Sequence, residues 1–361
     1  MTATSRTGDA GLDDWLDAHA ESLDTEPALA REVLPRLAGA GLTAIGVPAG
    51  AGGAGGGLTD AIDAVAGVAR HSLAAAFVLW GHRTFIEYLL QGDAAALRER
   101  WLPALIDGTM AGASGLSNAM KYLSAIESLQ MRAARHPDGY TLDGKLPWIT
   151  NLRPQGFLAA AAFEHDDGAP PSIFALPHDA PGLRRSDDLD LVALRGSNTA
   201  ALQLDGVALD ATWRITADAP AFLARLRPAF LGLQCGMSLG LAQRALSAAA
   251  AAGGASREAI AAEIDTLAAE LAAQRAQLHA GVLDGRFLAH PAALFELRIA
   301  LAGTVSAAVG LEVQATGGRG YLREAGGTAR RVREAAFIPI VTPSLVQLKT
   351  QLARHRQAAA T

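Results

Sequence analysis

LDGKLPWITN, residues 142–151, lies near the middle of the chain and decides how the rest is read. It sits inside a run, 130–216, that looks like strands throughout. Just before it, Pro137-Asp138-Gly139 separates two strand-like stretches and predicts a hairpin turn. After it, 157–163 and 172–176 are short apolar runs bounded by turn residues, and 201–209 alternates around Asp205-Gly206. The run has the size of one β-domain, about 100 residues. Trp148 on such a strand, taken alone, reads as core.

Outside this run the spacing is helical. Residues 15–42 place Leu34, Leu37 and Leu42 on or near one face. Thr59 and Asp60 are placed to cap a helix over 61–70 that turns Ile62, Val65 and Ala69 inward. A very apolar segment, 71–90, and a short helix over 94–105 follow. Helices return from about Ala219, with Ser256 as a cap before Ile260, Ile264, Leu267, Leu271 and Leu278. The order helical, β, helical predicts an α+β protein. Its expected parts are an N-terminal helical domain (1–110), a central β-barrel or sandwich domain (111–217) and a C-terminal helical bundle (218–361).

Composition narrows the function. The chain has 361 residues, 50% hydrophobic and 19% charged, which is globular composition. A net charge of -5 argues against nucleic acid as a partner, because phosphate neutralisation needs a basic surface. The single cysteine, Cys235, cannot close an intrachain disulfide, and its apolar neighbours make it a core residue. The first residues lack the apolar region of a secretory signal. The charge-free stretch 228–243 is too short and too interrupted to span a bilayer. The expectation is a cytoplasmic protein with no membrane partner and no metal site.

One motif invites a nucleotide reading and does not earn it. Gly50-Ala51-Gly52-Gly53-Ala54-Gly55 matches G-x-G-x-x-G and precedes a helix. The dinucleotide fingerprint needs a buried strand before it and an acidic residue about 20 positions on. Here the preceding stretch stops at Pro48, and 64–86 contains no Asp or Glu. A Gly-rich loop between helices remains.

Several segments, in order across nearly the whole chain, resemble the acyl-CoA dehydrogenase family. Residues 37–58 resemble its helix-to-loop passage through Val-Pro into glycines. Arg100-Trp101-Leu102-Pro103 with Asp107-Gly108 resembles its approach to the β-domain. Leu142-Asp143-Gly144 and Trp148-Ile149-Thr150-Asn151 match its β-domain signature. Gln314-Ala315-Thr316-Gly317-Gly318-Arg319-Gly320-Tyr321 matches its Q-x-x-G-G-x-G-Y, and Arg333-Glu334-Ala335 stands where it has Arg-Asp-Ala. The resemblance implies a C-terminal four-helix bundle and a flavin, FAD or alternatively FMN. A flavin ring needs an apolar wall and a few placed hydrogen bonds. By the resemblance Trp148 packs on the ring, Ile149 belongs with the cofactor contacts, Thr150 bonds near N5, and Ser117 keeps the hydroxyl of a family threonine at the pyrimidine edge. Gln314, Gly317 and Gly318 would serve the ADP half, often in a neighbouring subunit, and Ser344 belongs with these cofactor contacts. A homodimer or homotetramer packed through the C-terminal helices is implied.

The departures bear on the reaction. The family's base is a glutamate in Glu-Gly-Thr; here the stretch is Ile340-Val341-Thr342-Pro343-Ser344, with Thr342 at the glutamate's place. A threonine hydroxyl is far too weak a base to take an α-proton unaided. The alternative position of the glutamate falls near Phe230, and 223–257 holds no carboxylate. The acyl-CoA loop has become Ser117-Asn118-Ala119-Met120-Lys121-Tyr122, and AAAAAGGASR (248–257) replaces the family's Arg-x-x-Phe-Gly.

Three functions therefore compete. The first is a flavin-dependent oxidoreductase that moves hydride from an acyl-CoA or related small molecule to N5, with Glu87 or Glu324 as candidate bases. The second is a reduced-flavin-dependent monooxygenase, with His82 in the substrate pocket as proton donor. The third is a catalytically inactive, structural member.

Overall fold

The computed structural model describes residues 7–123, 128–252, 255–322 and 327–360. Five helices come first: α1 (Ala10–Thr25), α2 (Ala30–Gly39), α3 (Leu58–Ala69), α4 (Leu73–Gln91) and α5 (Ala95–Ile106). The helical spacing over 15–42 belongs to two helices. Pro27 disfavours helical geometry at Glu26, whose φ of -139° ends α1. Asp60 lies inside α3 and reaches back to accept from the Gly57 N–H at 2.8 Å, which fixes the helix start from within. The glycines before it form a 3-10 turn, Ala49–Ala51, and a loop whose Ile45 bridges Gly55.

Eight strands follow: β1 (Ala111–Ser114), β2 (Arg132–His136), β3 (Gly139–Ile149), β4 (Phe157–His165), β5 (Ser172–Pro177), β6 (Leu183–Arg185), β7 (Ala200–Leu209) and β8 (Arg214–Thr216). They run in the order β6-β7-β3-β2-β4-β5-β8, with β1 parallel to β4. Pro137 and Asp138 make the predicted hairpin, since His136 pairs with Gly139. The short helix α6 (Ser117–Leu123) leaves the end of β1.

The C-terminal part is helical: α7 (Ala219–Ala251), α8 (Ala255–Leu283), α9 (Arg286–Ala289), α10 (Pro291–Thr316), α11 (Thr328–Phe337) and α12 (Leu345–Ala360). Helix α8 already includes Ser256, so that residue is not its cap. The long helices α7, α8, α10 and α12 pack as a bundle, and α7 also packs on α3 and α4. The predicted α+β plan is the one observed. Cys235 is fully buried, as its neighbours imply. By length and composition, residues 291–321 could cross a bilayer, a stretch the charge-free 228–243 test overlooks. In this fold α10 is a bundle helix packed against α7, α8 and α12.

Candidate functional site

Helix α4 is the wall on which the site is built. Ser72 caps it by accepting from the Ala75 N–H, and the carboxylate of Glu334, on α11, accepts from the Leu73 N–H at 3.0 Å. A carboxylate at a helix N-terminus also meets the positive end of the helix dipole. Almost every residue of α4 is buried, and several of its polar side chains bind neighbours. Trp80 donates to the Phe230 carbonyl of α7, and Tyr88 shares a 2.5 Å hydrogen bond with Ser114 of β1.

The end of β3 faces this wall. Pro147 has no N–H to give its neighbour β7, and the pairing register shifts between Leu146 and Ile149. The resulting bulge turns Trp148 outward, 59% exposed, while Ile149 stays buried and pairs with Ala200. Trp148 is therefore not the core residue that its strand position suggests. Thr150 packs its methyl against Gly81, where a Cβ would stand 2.8 Å away. Its hydroxyl donates a long bond, 3.3 Å, to the Ser197 carbonyl. Asn151 sits at φ 61° and donates to the Gly112 carbonyl of β1 at 2.9 Å, tying this segment to the strand that leads to Ser117. Ser117 is half-buried at the first position of α6.

Beside it lies a pocket lined by Arg227, Phe230 and Leu231 of α7, Phe295 of α10, Pro343, Gln351 of α12 and, from α6, Met120. The two positions at which the resemblance puts a base converge here, because Phe230 lines the pocket and Thr342 precedes Pro343. Neither is a carboxylate, and no described lining residue is. Behind Phe230, Trp80 meets it edge-on at 5.2 Å, and Phe77 stacks on Trp80 and meets Phe337. The Thr342 carbonyl accepts from Gln234 at 3.0 Å, and Gln234 in turn accepts from the fully buried Arg298 at 2.8 Å. Arg298 also donates to the Ile338 carbonyl, so these two side chains hold the segment that carries Thr342.

The structure removes two of the candidate acids and bases. His82 is fully buried; its Nε2 meets the Leu105 carbonyl at 2.8 Å and its Nδ1 accepts from the Gly112 N–H at 3.0 Å. Burial pushes its pKa down to about 3, so it stays neutral and bridges α4, α5 and β1 rather than facing a substrate pocket. Glu87 is held by Arg83 at 2.9 Å and Gln91 at 3.0 Å. Glu324 lies outside the described residues. Ser344 acts locally: its N–H donates to Gln347 and its hydroxyl accepts from the Gln347 N–H, a reciprocal cap for α12. Gln314 is exposed and bonds its own helix at the Gly310 carbonyl. Gly317, at φ 58°, and Gly318 are exposed with open space where a Cβ would stand. Their turn packs on α10 and α11, whereas β3 packs on β2 and β7, so the two proposed cofactor segments belong to different parts of the fold.

Sequence reasoning missed Arg227, Gln234, Phe295 and Arg298. Their spacing was visible, seven residues apart on α7 and three on α10, but nothing local says that those faces meet. A wider hollow at the β2–β3 hairpin, lined by His136, Asp166 and Asp167 among others, is far from this site. Nine strand steps separate Trp148 from the hairpin end, about 30 Å.

Would a flavin fit? An exposed indole on a bulge, a buried strand end beside it and a pocket under the same wall suit a flat apolar ring at Trp148. Thr150, two residues on, is buried with its hydroxyl given to the Ser197 carbonyl, and Ser117 opens α6. The glycine turn is exposed at Gly317 and Gly318, but the Gly317 N–H is already given to the Val313 carbonyl.

Comparison with known proteins agrees with this architecture. The model of the acyl-CoA dehydrogenase N-terminal domain matches residues 9–109. Mitochondrial isovaleryl-CoA dehydrogenase of Pongo abelii is 29% identical over 177 residues, 48% of this chain and 42% of that one. The chain spans less than two thirds of the length of the curated relatives it matches. Among solved structures, a glutaryl-coenzyme A dehydrogenase in complex with glutaryl-CoA superposes with a TM-score of 0.85 at 20% identity, covering 99% of this chain and 96% of that one. The FAD complex of PigA does so with 0.77 at 17% identity, covering 96% and 93%. The first hundred residues therefore match the acyl-CoA dehydrogenase N-terminal domain, and the whole chain shares the fold of a solved acyl-CoA dehydrogenase-type structure.

Proposed function

We propose that the chain is a flavin-dependent oxidoreductase that binds FAD with the ring against Trp148. The observation that carries this reading is the bulge at Pro147, which presents a large aromatic face to solvent. Bound there, the flavin would accept a hydride from a small substrate held over the Phe230 and Pro343 side. Ile149 anchors the strand, and Thr150 and Ser117 orient the ring. The FAD complex of a structural neighbour supports FAD over FMN. Exposed Val313, Ile340 and Val346 on the C-terminal part support a homo-oligomer, which light scattering of the pure protein checks.

The decisive measurement is FAD titration of the pure protein. Saturable binding with a perturbed visible spectrum is expected, and Trp148→Ala should weaken it about tenfold, the worth of one aromatic stack. A protein that refuses FAD and FMN alike would end the oxidoreductase reading and leave an assembly role.

The carboxylate-free pocket favours a second reading, oxygenation with supplied reduced flavin, which needs no α-proton base. His82 cannot be its proton donor, for both ring nitrogens are engaged. Anaerobic bleaching by an acyl-CoA supports the first reading; oxygen uptake that requires added reduced flavin supports the second.

A further inference from the structure

We propose that Asp24, in the last turn of α1, is a positioning residue for the segment 148–151, which it holds in place through the turn formed by residues 194–198. The proposal rests on the flavin reading above and adds to it a residue that acts on the site from a distance.

The backbone points to this turn. Among the described residues, three that are not glycine have a left-handed backbone: Asn151 at φ 61°, Leu194 at φ 61° and Asn198 at φ 47°. All three belong to one clasp. Asparagine tolerates this conformation, whereas leucine is strained by it, and such strain persists only where the surroundings hold it. Leu194 is buried, and its N–H donates to the Asp24 carboxylate at 2.9 Å. Asp24 is itself fully buried, so the bond is charge-assisted and shielded from water.

The turn meets the end of α1 at two more points. Arg195 donates to the Thr25 carbonyl at 3.1 Å, where a cation also faces the negative end of the helix dipole. A Cβ on Gly196 would stand 2.8 Å from the Leu23 carbonyl oxygen and 3.1 Å from the Leu23 Cα, so a side chain there would force the two backbones apart. The other side of the turn grips the end of β3. The Ser197 carbonyl accepts from the Asn151 N–H at 2.9 Å and from the Thr150 hydroxyl at 3.3 Å. The Asn198 carbonyl accepts from the Leu152 N–H at 3.0 Å. One turn therefore joins the buried carboxylate to Thr150.

Two other contacts hold the same segment. Ile149 pairs with Ala200, and Asn151 reaches the Gly112 carbonyl. If these sufficed, Asp24 would serve stability alone, through its 2.8 Å bond with Arg333 of α11. The two roles separate in experiment.

Hydrogen exchange of the full chain, resolved to single amides by mass spectrometry, reads the clasp directly, because the Asn151 and Leu152 amides donate to it. Rates are taken relative to the amides of β4. Asp24→Ala should speed exchange at both amides by about tenfold, the worth of one lost charge-assisted bond. Asp24→Asn keeps an oxygen for the Leu194 N–H and gives up the ion pair with Arg333, which retains Glu21. It should stay within about threefold of the parent. Gly196→Ala pushes the turn off α1 with Asp24 intact and should open the same two amides, which decides the matter where Asp24→Ala fails to fold. Gly240→Ala, which loosens the contact of α7 with α3, should leave both amides at the parent's relative rate. In FAD titration Asp24→Ala should bind about tenfold more weakly with an altered visible spectrum, and Asp24→Asn should restore both. Unchanged exchange in Asp24→Ala or Gly196→Ala, equal loss in Asp24→Asn and Asp24→Ala, or the same pattern in Gly240→Ala overturns the proposal. So does an Asp24→Ala variant whose two amides open while FAD binds as in the parent. A parent that binds no flavin yet shows the exchange pattern keeps the clasp and loses the flavin reading.

Discussion

His82 shows how much one side chain's meaning depends on partners far along the chain. In sequence it is a histidine in an apolar helix, open to either a pocket role or a core role. Its partners lie 23 and 30 residues on, at Leu105 and Gly112, and no local pattern points to them. The consequence is measurable. The folded protein refuses a proton at His82 until about pH 3, whereas the unfolded chain takes one near 6.5. The unfolded state therefore gains protons as pH falls below 6.5, and stability drops by about 1.4 kcal/mol per pH unit toward the folded pKa. Urea unfolding at pH 6.5 and pH 5 should lose about 2 kcal/mol to this residue alone. His82→Gln should be less stable at neutral pH, because Gly112 and Leu105 lose a well-placed bridge, yet it should lose about 2 kcal/mol less over the same interval. An unchanged acid limb in the variant would show that His82 is protonated in the folded state after all. Trp148 carries the opposite lesson. Its identity was legible, but its exposure follows from Pro147 and the broken register, which only pairing with β7 reveals.

At the scale of elements, long amphipathic segments announced themselves and short ones did not. Ile260, Ile264 and Leu278 turned inward as their spacing requires. Strand β1, Ala-Gly-Ala-Ser, has no alternation to read, because both its faces are buried and it is a strand only by virtue of β4. Helix α7 was legible as a buried helix, though not why it can lie so close to α3. Gly232, Gly236 and Gly240 form one stripe four residues apart, and α3 rests on it. A Cβ would stand 3.0 Å from the flexible end of Ile62 at Gly232, 2.7 Å from the Ile62 carbonyl at Gly236, and 2.1 Å from the Ala66 carbonyl at Gly240. An alanine in a helix gains about 1 kcal/mol over glycine, while overpacking costs about 1 to 3 kcal/mol. The series Gly232→Ala, Gly236→Ala, Gly240→Ala should therefore run from near neutral to clearly destabilised in thermal melts. Equal melting temperatures across the three would mean that the helices separate freely and that the stripe is not what sets their distance.

At the scale of the molecule, the sequence made the class and the order of parts legible, because periodicity and turn residues act locally. The recognised motifs were legible as words, while their work is long-range. Arg100 lies over Trp101 and Trp213, docking α5 against the segment that precedes β8. Arg333-Glu334 is a strut. Arg333 pairs with Asp24 at 2.8 Å and Glu21 at 2.6 Å on α1, and Glu334 joins α11 to the start of α4 across 261 residues. Asp24, fully buried, is pushed up to about 6 by its surroundings, first by burial and then by the charge of Glu334. Glu334 also pairs with Arg330 at 2.7 Å, with both side chains almost wholly buried. Removing one member of such a pair leaves the other charged and unpaired, at a cost of about 3 to 5 kcal/mol. Glu334→Ala should cost that much in urea unfolding. Glu334→Gln, which keeps an acceptor for the Leu73 N–H, should cost less. Because α4 is the wall under Thr150 and Phe230, Glu334→Ala should also weaken FAD binding. Gly240→Ala, which acts on the far side of α7, serves as the control for a general loss of stability. If Glu334→Ala stays within about 1 kcal/mol of the parent, the buried pair is not what joins α11 to the wall of the site. If it loses stability but binds FAD as well as the control does, the wall stands without its strut, and its position is set by the helices packed along it.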